Sequence, residues 1–177
     1  NKIQAGLRAE ASDVNFVDNF KQQKHNFFPT FMYQHTIDAH FNLSASFKKT
    51  ISRPPYRELV PYSVFLNQYS IEQGNPEMVP QFDDIYTLTA NIHKLNVSLS
   101  YTDTKGMIGL FPSQQDYNTK VTYFKRQNLK KASSVALYLF YPYQINEWWE
   151  TMNSGTPIGR NSAEGVVLGL NHESMIY

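Results

Sequence analysis

The side chains that could carry chemistry are spread along this sequence and do not gather into a catalytic motif. The histidines show neither the HExxH spacing nor another metal-binding spacing. They are His25, His35, His40, His93 and His172. Asp83 and Asp84 are adjacent carboxylates, but neighbouring residues of a strand point to opposite faces, so they form a poor acid–base pair. Since the chain also contains no cysteine, we expect no enzymatic activity and no cofactor or metal.

Hydrophobic and polar residues alternate along several segments, and this pattern is typical of a β-strand with one apolar face. The clearest examples are residues 2–14, 41–51 and 95–104. Aromatic residues make up 15% of the chain and charged residues 18%, which also favours β structure. No window shows convincing helical periodicity, so the sequence predicts an all-β fold.

Two short turns fix how neighbouring segments pair. If residues 93–94 form a two-residue turn, Leu88 lies opposite Leu99, and every apolar pair of this hairpin falls on one face. A three-residue turn at 38–40 gives the same separation of apolar and polar pairs in the preceding hairpin. A shift of one residue would mix the two faces. The sequence therefore predicts antiparallel hairpins with defined registers.

The connections between these segments alternate in length. We expect long loops at about 15–24, 53–82 and 106–118, and short turns at about 38–40, 93–94 and 143–147. Such alternation places all long loops at one end of the sheet, as in outer-membrane barrels with short periplasmic turns. We expect residues 1–177 to form a single unit, an antiparallel up-and-down meander of about seven or eight strands.

In a membrane barrel, the apolar face would meet lipid and the polar face would line the lumen. Arg8, Glu10, Lys48 and Arg53 are then candidate lumen charges. Aromatic residues near the short-turn end would form a girdle at the membrane interface. The candidates for this girdle are Phe41, Tyr141, Tyr143, Trp148 and Trp149.

A soluble antiparallel sheet would give the same alternation, with its apolar face packed on a core. The same charges would then be solvated residues that add little stability. In this alternative, the chain is a binding module for a glycan or a protein, and it uses exposed aromatics such as Trp148 and Trp149. Alternation and loop lengths together leave both placements open.

Two other classes of protein are disfavoured by composition. Lys and Arg number 16 against 15 Asp and Glu, so the net charge is +1. A nucleic-acid-binding protein would show a clear basic excess. No run of roughly 18 apolar residues is present, and a transmembrane helix needs such a run.

The long stretch at 53–82 contains five prolines, which exclude regular strand across most of its length. It could be a ligand-contacting loop or a structural connection. Its motifs run in order as Ser52-Arg53-Pro54-Pro55-Tyr56, Leu59-Val60-Pro61-Tyr62, and Tyr69 through Gly74-Asn75-Pro76 to Pro80.

These motifs resemble the outer-membrane β-barrel of TonB-dependent receptors, in the variant known as the outer membrane protein β-barrel family. Val60 and Met78 stand where that family usually has Asn and Leu, and the resemblance extends over about residues 3–153. The motif positions carried over to this chain are Arg53, Pro54, Tyr56, Pro61, Tyr69, Gly74, Asn75, Pro76 and Pro80.

The resemblance implies a receptor in the outer membrane that binds a small extracellular nutrient and imports it to the periplasm. TonB would act through a plug domain, which this sequence lacks, and the remaining partner would be outer-membrane lipid. Such transporters have about 22 strands, so we expect this chain to be a piece of a larger receptor. Because a piece leaves its edge strands and apolar face uncovered, we also expect the isolated chain to associate with itself, to fold its apolar face inward as a sandwich-like sheet, or to need detergent.

Overall fold

The structure is a computed structural model that describes residues 1–15, 21–116, 118–146, 149–162 and 165–176. These residues form one sheet of ten strands. The strands are β1 (Lys2–Asn15), β2 (Lys21–Thr36), β3 (Phe41–Ser52), β4 (Ser63–Asn67), β5 (Ser70–Gln73), β6 (Gln81–Ile92), β7 (Leu95–Asp116), β8 (Val121–Asn146), β9 (Trp149–Ser162) and β10 (Gly165–Ile176). A single helical turn, α1 (Tyr56–Leu59), precedes β4. Nowhere in the described ranges is there a helix long and apolar enough to cross a bilayer.

Eight long strands follow one another in an antiparallel meander, in the order β1-β2-β3-β6-β7-β8-β9-β10. The short strands β4 and β5 lie apart from this path, and β5 pairs with β8 in parallel. The expected all-β antiparallel meander is confirmed. The eight long strands fit the expected number, and β4 and β5 are two further strands inside the long loop.

The predicted hairpin registers are also confirmed. Leu88 pairs with Leu99 across the turn at 93–94. Phe31 pairs with Phe47 across the turn at 38–40. The turn at 93–94 contains a non-glycine residue in the left-handed region, since His93 has φ 54°. Alternation of apolar residues therefore sets the register even where the turn sequence is unfavourable.

The expected loop at 106–118 is wrong, because β7 continues to Asp116 and stays paired with β8. Gly106 adopts φ 65° within the strand. The register shifts between Pro112 and Gln114. A proline is tolerated at such a bulge, where no ladder hydrogen bond is required of it, so it does not end the strand.

The boundaries expected at 15–24 and 143–147 also differ from the structure. β1 extends to Asn15, which pairs with Lys21 at the start of β2. β8 extends to Asn146, so most of the expected turn belongs to the strand. Residues 16–20 and 147 lie outside the described part of the chain. The sequence pattern does not mark the ends of these strands.

One face of the sheet, called the apolar face here, carries large hydrophobic side chains that are exposed. Leu88 and Leu99 are central examples, with 47% and 45% of their surface exposed. Others on this face are Ile3, Leu7, Phe31, Tyr33, Tyr86, Tyr101, Val135, Leu139 and Tyr141. Among the described side chains, only Phe28, Met78 and Ala132 are buried hydrophobics. Soluble domains bury most large apolar side chains, so this face requires apolar surroundings.

The opposite face, called the polar face, carries short uncharged side chains along the same strands. Thr89 and Ser98 face each other with their hydroxyl oxygens 3.0 Å apart. Asn96 donates a hydrogen bond to Asn91 over 2.5 Å. Because successive residues of a strand point to opposite sides, one alternating sequence produces both faces.

Candidate functional site at the long-loop end of the sheet

Residues 53–80, called the strap here, leave β3, reach the far edge of β8 and return to β6. The strap contains α1 and the β4–β5 hairpin. Its strand β5 pairs with residues 122–125 of β8. Since β9 pairs with β8 only from Ala132 onward, β5 occupies the edge of β8 that β9 leaves free. In the order of the sheet, β6, β7 and β8 therefore lie between β3 and the strap strand β5.

An ion pair between a buried glutamate and a half-exposed arginine fixes the strap to β8. Glu58 of α1 is 7% exposed. Its Oε1 lies 2.9 Å from Nε of Arg126 on the polar face of β8. The contact is an ion pair without a hydrogen bond, because Arg126 Nε has no hydrogen-bond partner of suitable geometry. The other carboxylate oxygen, Glu58 Oε2, also has no such partner. Removing one member of such a pair would leave the other charge uncompensated.

Asn75 joins the two sides of this contact. Its side-chain Nδ2 donates to the backbone oxygen of Arg126 over 2.7 Å. Its backbone N–H donates to the backbone oxygen of Glu58, also over 2.7 Å. Asn75 is itself 7% exposed. A buried amide with these bonds satisfied holds the strap in one position.

Asn128, two residues beyond Arg126 on β8, makes a second attachment to the strap. Its Oδ1 accepts a hydrogen bond from the backbone N–H of Val79, and its Nδ2 donates to the Val79 oxygen, both over 2.9 Å. Nδ2 also donates to the oxygen of Gly106 over 2.7 Å. The sequence analysis identified neither Arg126 nor Asn128, because no local pattern indicates which strand a distant loop contacts.

The motif residues of the strap take two kinds of position. Gly74 and Asn75 lie inside it, and a Cβ on Gly74 would come 1.9 Å from the backbone oxygen of Val60. Tyr56 and Tyr69 are exposed, at 77% and 53%. The motif prolines lie outside the two strands of the strap: Pro54 and Pro61 flank α1, and Pro76 and Pro80 follow β5. Arg53 begins the strap and forms an ion pair described below.

Residues of the strap line an open cavity of about 590 Å³, called the basin here. Its lining residues are Tyr56, Arg57, Val60, Tyr62, Val64 and Glu72. The hydroxyl of Tyr62 donates to Glu72 Oε1 over 3.1 Å. Burial raises the pKa of Tyr62, and the hydrogen bond to the Glu72 carboxylate raises this pKa further. No acidic group of the described residues forms an ion pair with Arg57.

Two of the predicted lumen charges meet Arg53 on the polar face. Arg53 donates from Nη2 to Glu10 Oε2 over 2.7 Å. Arg8 Nε lies 3.2 Å from Glu10 Oε1, and its guanidinium lies 4.7 Å from the ring centre of Phe28. Lys48 shares this face but forms no ion pair in the part of the chain described. The cluster therefore contains two arginines around one carboxylate.

The predicted girdle aromatics Phe41, Tyr141 and Tyr143 lie on the apolar face near the short turns. The rings of Tyr141 and Tyr143 are 6.5 Å apart. Trp148 and the side chain of Trp149 lie outside the described part of the chain. The role of these residues at a membrane interface stays a prediction.

A second aromatic row, whose Tyr86–Tyr101 pair follows from the predicted register, lies toward the strap end of the same face. Phe47 and Tyr86 have ring centres 4.9 Å apart, and Tyr86 and Tyr101 have ring centres 6.2 Å apart. The three residues lie on β3, β6 and β7. The confirmed registers alone would have identified this row, because they bring these side chains together.

Within the described ranges, no group of three or more His, Asp or Glu side chains is arranged to hold a metal ion. The chemistry offered by the strap and the Arg8–Glu10–Arg53 cluster is noncovalent. It consists of aromatic surfaces, guanidinium groups and a hydrogen-bonded phenol.

Comparison with known proteins identifies the family. The outer membrane protein beta-barrel family matches residues 1–172. The structure is similar to the siderophore receptor PirA from Pseudomonas aeruginosa, with a TM-score of 0.59 and 15% identity over 97% of this chain and 38% of that chain.

It is also similar to the ferric enterobactin receptor PfeA of Pseudomonas aeruginosa, with a TM-score of 0.59 and 17% identity over 88% of this chain. The match covers 24% of the PfeA chain, so this chain spans between a quarter and two fifths of these receptors. No curated protein matches the sequence. The fold and the family match agree, and the chain belongs to the outer membrane protein beta-barrel family of the outer membrane.

Proposed function

We propose that the chain is a barrel segment of a TonB-dependent receptor that binds an extracellular nutrient and imports it to the periplasm. The observation that carries this proposal is the strap, which Glu58 and Arg126 fix to the polar face so that the basin stays open. Long loops of outer-membrane barrels face the medium. The basin would therefore meet a ligand arriving from outside the cell.

The lining of the basin favours an apolar or aromatic ligand that carries negative charge. Tyr56 and Tyr62 offer ring surfaces for stacking, and Arg57 offers a guanidinium that no described acidic group occupies. Of the two similar structures, PirA is a siderophore receptor by name and PfeA is a ferric enterobactin receptor by name. A ferric siderophore is therefore the first class of ligand to test.

The receptor would work by binding and passage, without bond chemistry. Energy would come from TonB through a plug domain outside this sequence. The polar face would line the passage, and Arg8, Arg53 and Lys48 would give it a positive character. The alternative of a soluble glycan- or protein-binding module conflicts with membership of an outer-membrane family and with the exposed apolar face.

Growth under iron limitation tests this function. A strain without the complete gene is supplied with single ferric siderophores and complemented with wild type, Tyr56→Ala or Arg57→Ala. We expect growth to depend on the gene for at least one siderophore. Either variant should lower uptake of that siderophore about tenfold, since each removes one main contact of the basin.

Tyr69→Ala is the matched control, because Tyr69 is an exposed tyrosine of the strap that does not line the basin. Levels of each protein in the outer membrane are measured by immunoblot. Equal losses of uptake for Tyr56→Ala and Tyr69→Ala would show that the basin is not where the siderophore binds. Growth independent of the gene on every siderophore would overturn the ligand class, and a panel of other scarce nutrients would then test the transport function.

A further inference from the structure

A group of charged residues lies on the apolar face directly beyond its strap-end aromatic row. Three of them are lysines on neighbouring parts of the sheet, Lys49, Lys105 and Lys131, called the lysine belt here. The other two, Asp84 and Asp103, are paired across β6 and β7. None of the five side chains faces the passage, because all lie on the side opposite to Ser98 and Thr89.

Strand alternation fixes the position of the belt. Lys49 lies two residues beyond Phe47 on β3, and Lys105 lies four residues beyond Tyr101 on β7. Lys131 pairs with Lys105 on the adjacent strand β8. Two residues of a strand span about 7 Å. The belt therefore begins one side-chain row above the aromatic row, where the hydrocarbon of a membrane gives way to headgroups.

The ion pairs of the belt leave the lysine ammonium groups accessible. Lys105 Nζ lies 3.7 Å from Asp84 Oδ2, and the side chains are 61% and 19% exposed. Lys131 Nζ lies 3.5 Å from Asp103 Oδ1, with 68% and 18% exposed. The acids are thus covered and the lysines are not. An ammonium group has three donors, so a second acceptor can share it.

Lys49 has no carboxylate partner among the described residues, and its Nζ lies 6.0 Å from the ring centre of Phe82. Three lysines against two aspartates leave the belt with an excess of one positive charge. Asp84 and Asp103 face each other directly, and like charges at such a position repel. The lysines offset this repulsion, and the remaining charge points away from the sheet.

We propose that the lysine belt binds the phosphate groups of lipids in the outer leaflet. The belt is on the lipid side of the sheet and at the end opposite to the short periplasmic turns, so it lies at the level of the outer-leaflet headgroups. Phosphate complements its excess charge, and the lipid chains continue onto the aromatic row below. A transported ligand meets the other face.

Binding is tested with the complete protein extracted from outer membranes in neutral detergent. Its affinity for fluorescent phosphatidic acid in the detergent micelles is compared with its affinity for fluorescent phosphatidylcholine, in which the choline group neutralises the charge of the phosphate. We expect tighter binding of phosphatidic acid and a loss of about fivefold for each lysine changed to Gln. Lys49→Arg, Lys105→Arg and Lys131→Arg together should retain binding, because they keep the charge.

Lys48→Gln is the matched control, since Lys48 is adjacent to Lys49 but faces the opposite side of β3. We expect it to bind phosphatidic acid as wild type does. Asp84→Asn with Asp103→Asn should strengthen binding, which a purely structural role of the ion pairs would not produce. Equal affinity for the two lipids, or equal losses in Lys48→Gln and Lys49→Gln, would overturn the proposal.

Discussion

Arg53 and Glu10 form an ion pair across an entire strand. Arg53 follows β3, Glu10 lies on β1, and β2 lies between them, yet Nη2 and Oε2 are 2.7 Å apart. The side chains are 45% and 28% exposed. The start of the strap is therefore tied to a strand with which β3 shares no ladder.

The strength of this tie is measured by a double-mutant cycle of Glu10→Gln and Arg53→Gln. We expect a small favourable coupling in the free energy of unfolding at low salt, because the pair is partly exposed and solvent screens it. The coupling should decrease in high salt, since salt screens exposed charges. Lys48→Gln is the control and should couple to neither residue. A coupling that is independent of salt would contradict this view of the pair.

Removing Arg126 should release the strap without unfolding the sheet. Arg126→Met leaves the Glu58 carboxylate buried and unpaired, and we expect the strap to lose about 2–3 kcal/mol of local stability. Hydrogen exchange at the amides of Gly74 and Asn75 measures this loss. Lys130→Met, an exposed lysine of the same strand, should leave the exchange unchanged. Restoration of protection by adding Glu58→Gln would confirm the origin of the loss.

Gly74 tests the packing within the strap. Gly74→Ala would place its Cβ 1.9 Å from the Val60 oxygen and 2.8 Å from the Tyr62 ring. We expect a loss of about 3 kcal/mol in strap stability, because a backbone oxygen cannot move as a flexible side chain does. Faster cleavage of the strap by protease measures the effect, with Ser63→Ala as an exposed control. Cleavage at the wild-type rate would show that the strap tolerates a side chain at this position.

The two faces of β7 should respond differently to a new charge. Leu99→Arg lies on the apolar face, and we expect it to cost about 2–4 kcal/mol in a lipid bilayer. Ser100→Arg, one residue further on, lies on the polar face and should cost much less. Unfolding of the complete protein in vesicles gives both values. Similar costs at the two positions would mean that the apolar face does not contact lipid.

The strap should become less stable around the basin at alkaline pH. The pKa of Tyr62 is raised by burial and by Glu72, so folding favours the neutral phenol. Its contribution to stability is complete below the ordinary pKa of about 10 and is lost as pH rises through the higher folded value. Ultraviolet absorbance follows phenolate formation. Tyr62→Phe should remove the late-titrating absorbance, whereas Tyr56→Phe, at an exposed position, is the control and should leave that absorbance in place.

The sequence was sufficient for the parts of the fold that depend on alternation. The pairing of Leu88 with Leu99 follows from keeping apolar residues on one face. The strand 106–116 was missed because Gly106 and Pro112 normally interrupt strands, but here a left-handed glycine and a bulge accommodate them. Local composition does not reveal whether a neighbouring strand supports such residues.

The candidate site was harder to predict than the sheet. The motif around Gly74 and Asn75 marked the strap, but its two attachments on β8, Arg126 and Asn128, have no local signature. The β4–β5 hairpin was also missed, because the surrounding prolines favour loop structure. Contacts between residues far apart in sequence depend on where the strap crosses the sheet, and alternation carries no information on that crossing.

The parallel pairing of β5 with β8 has a consequence for the order of assembly. Ser70 must wait for Thr122, its partner, until β6, β7 and β8 have all been placed in the sheet. The strap is therefore the last part of this region to reach its final position. The hairpins of the sheet form before the strap packs against them. A protein inserted into the membrane but stalled before β8 would have a continuous polar face and no basin.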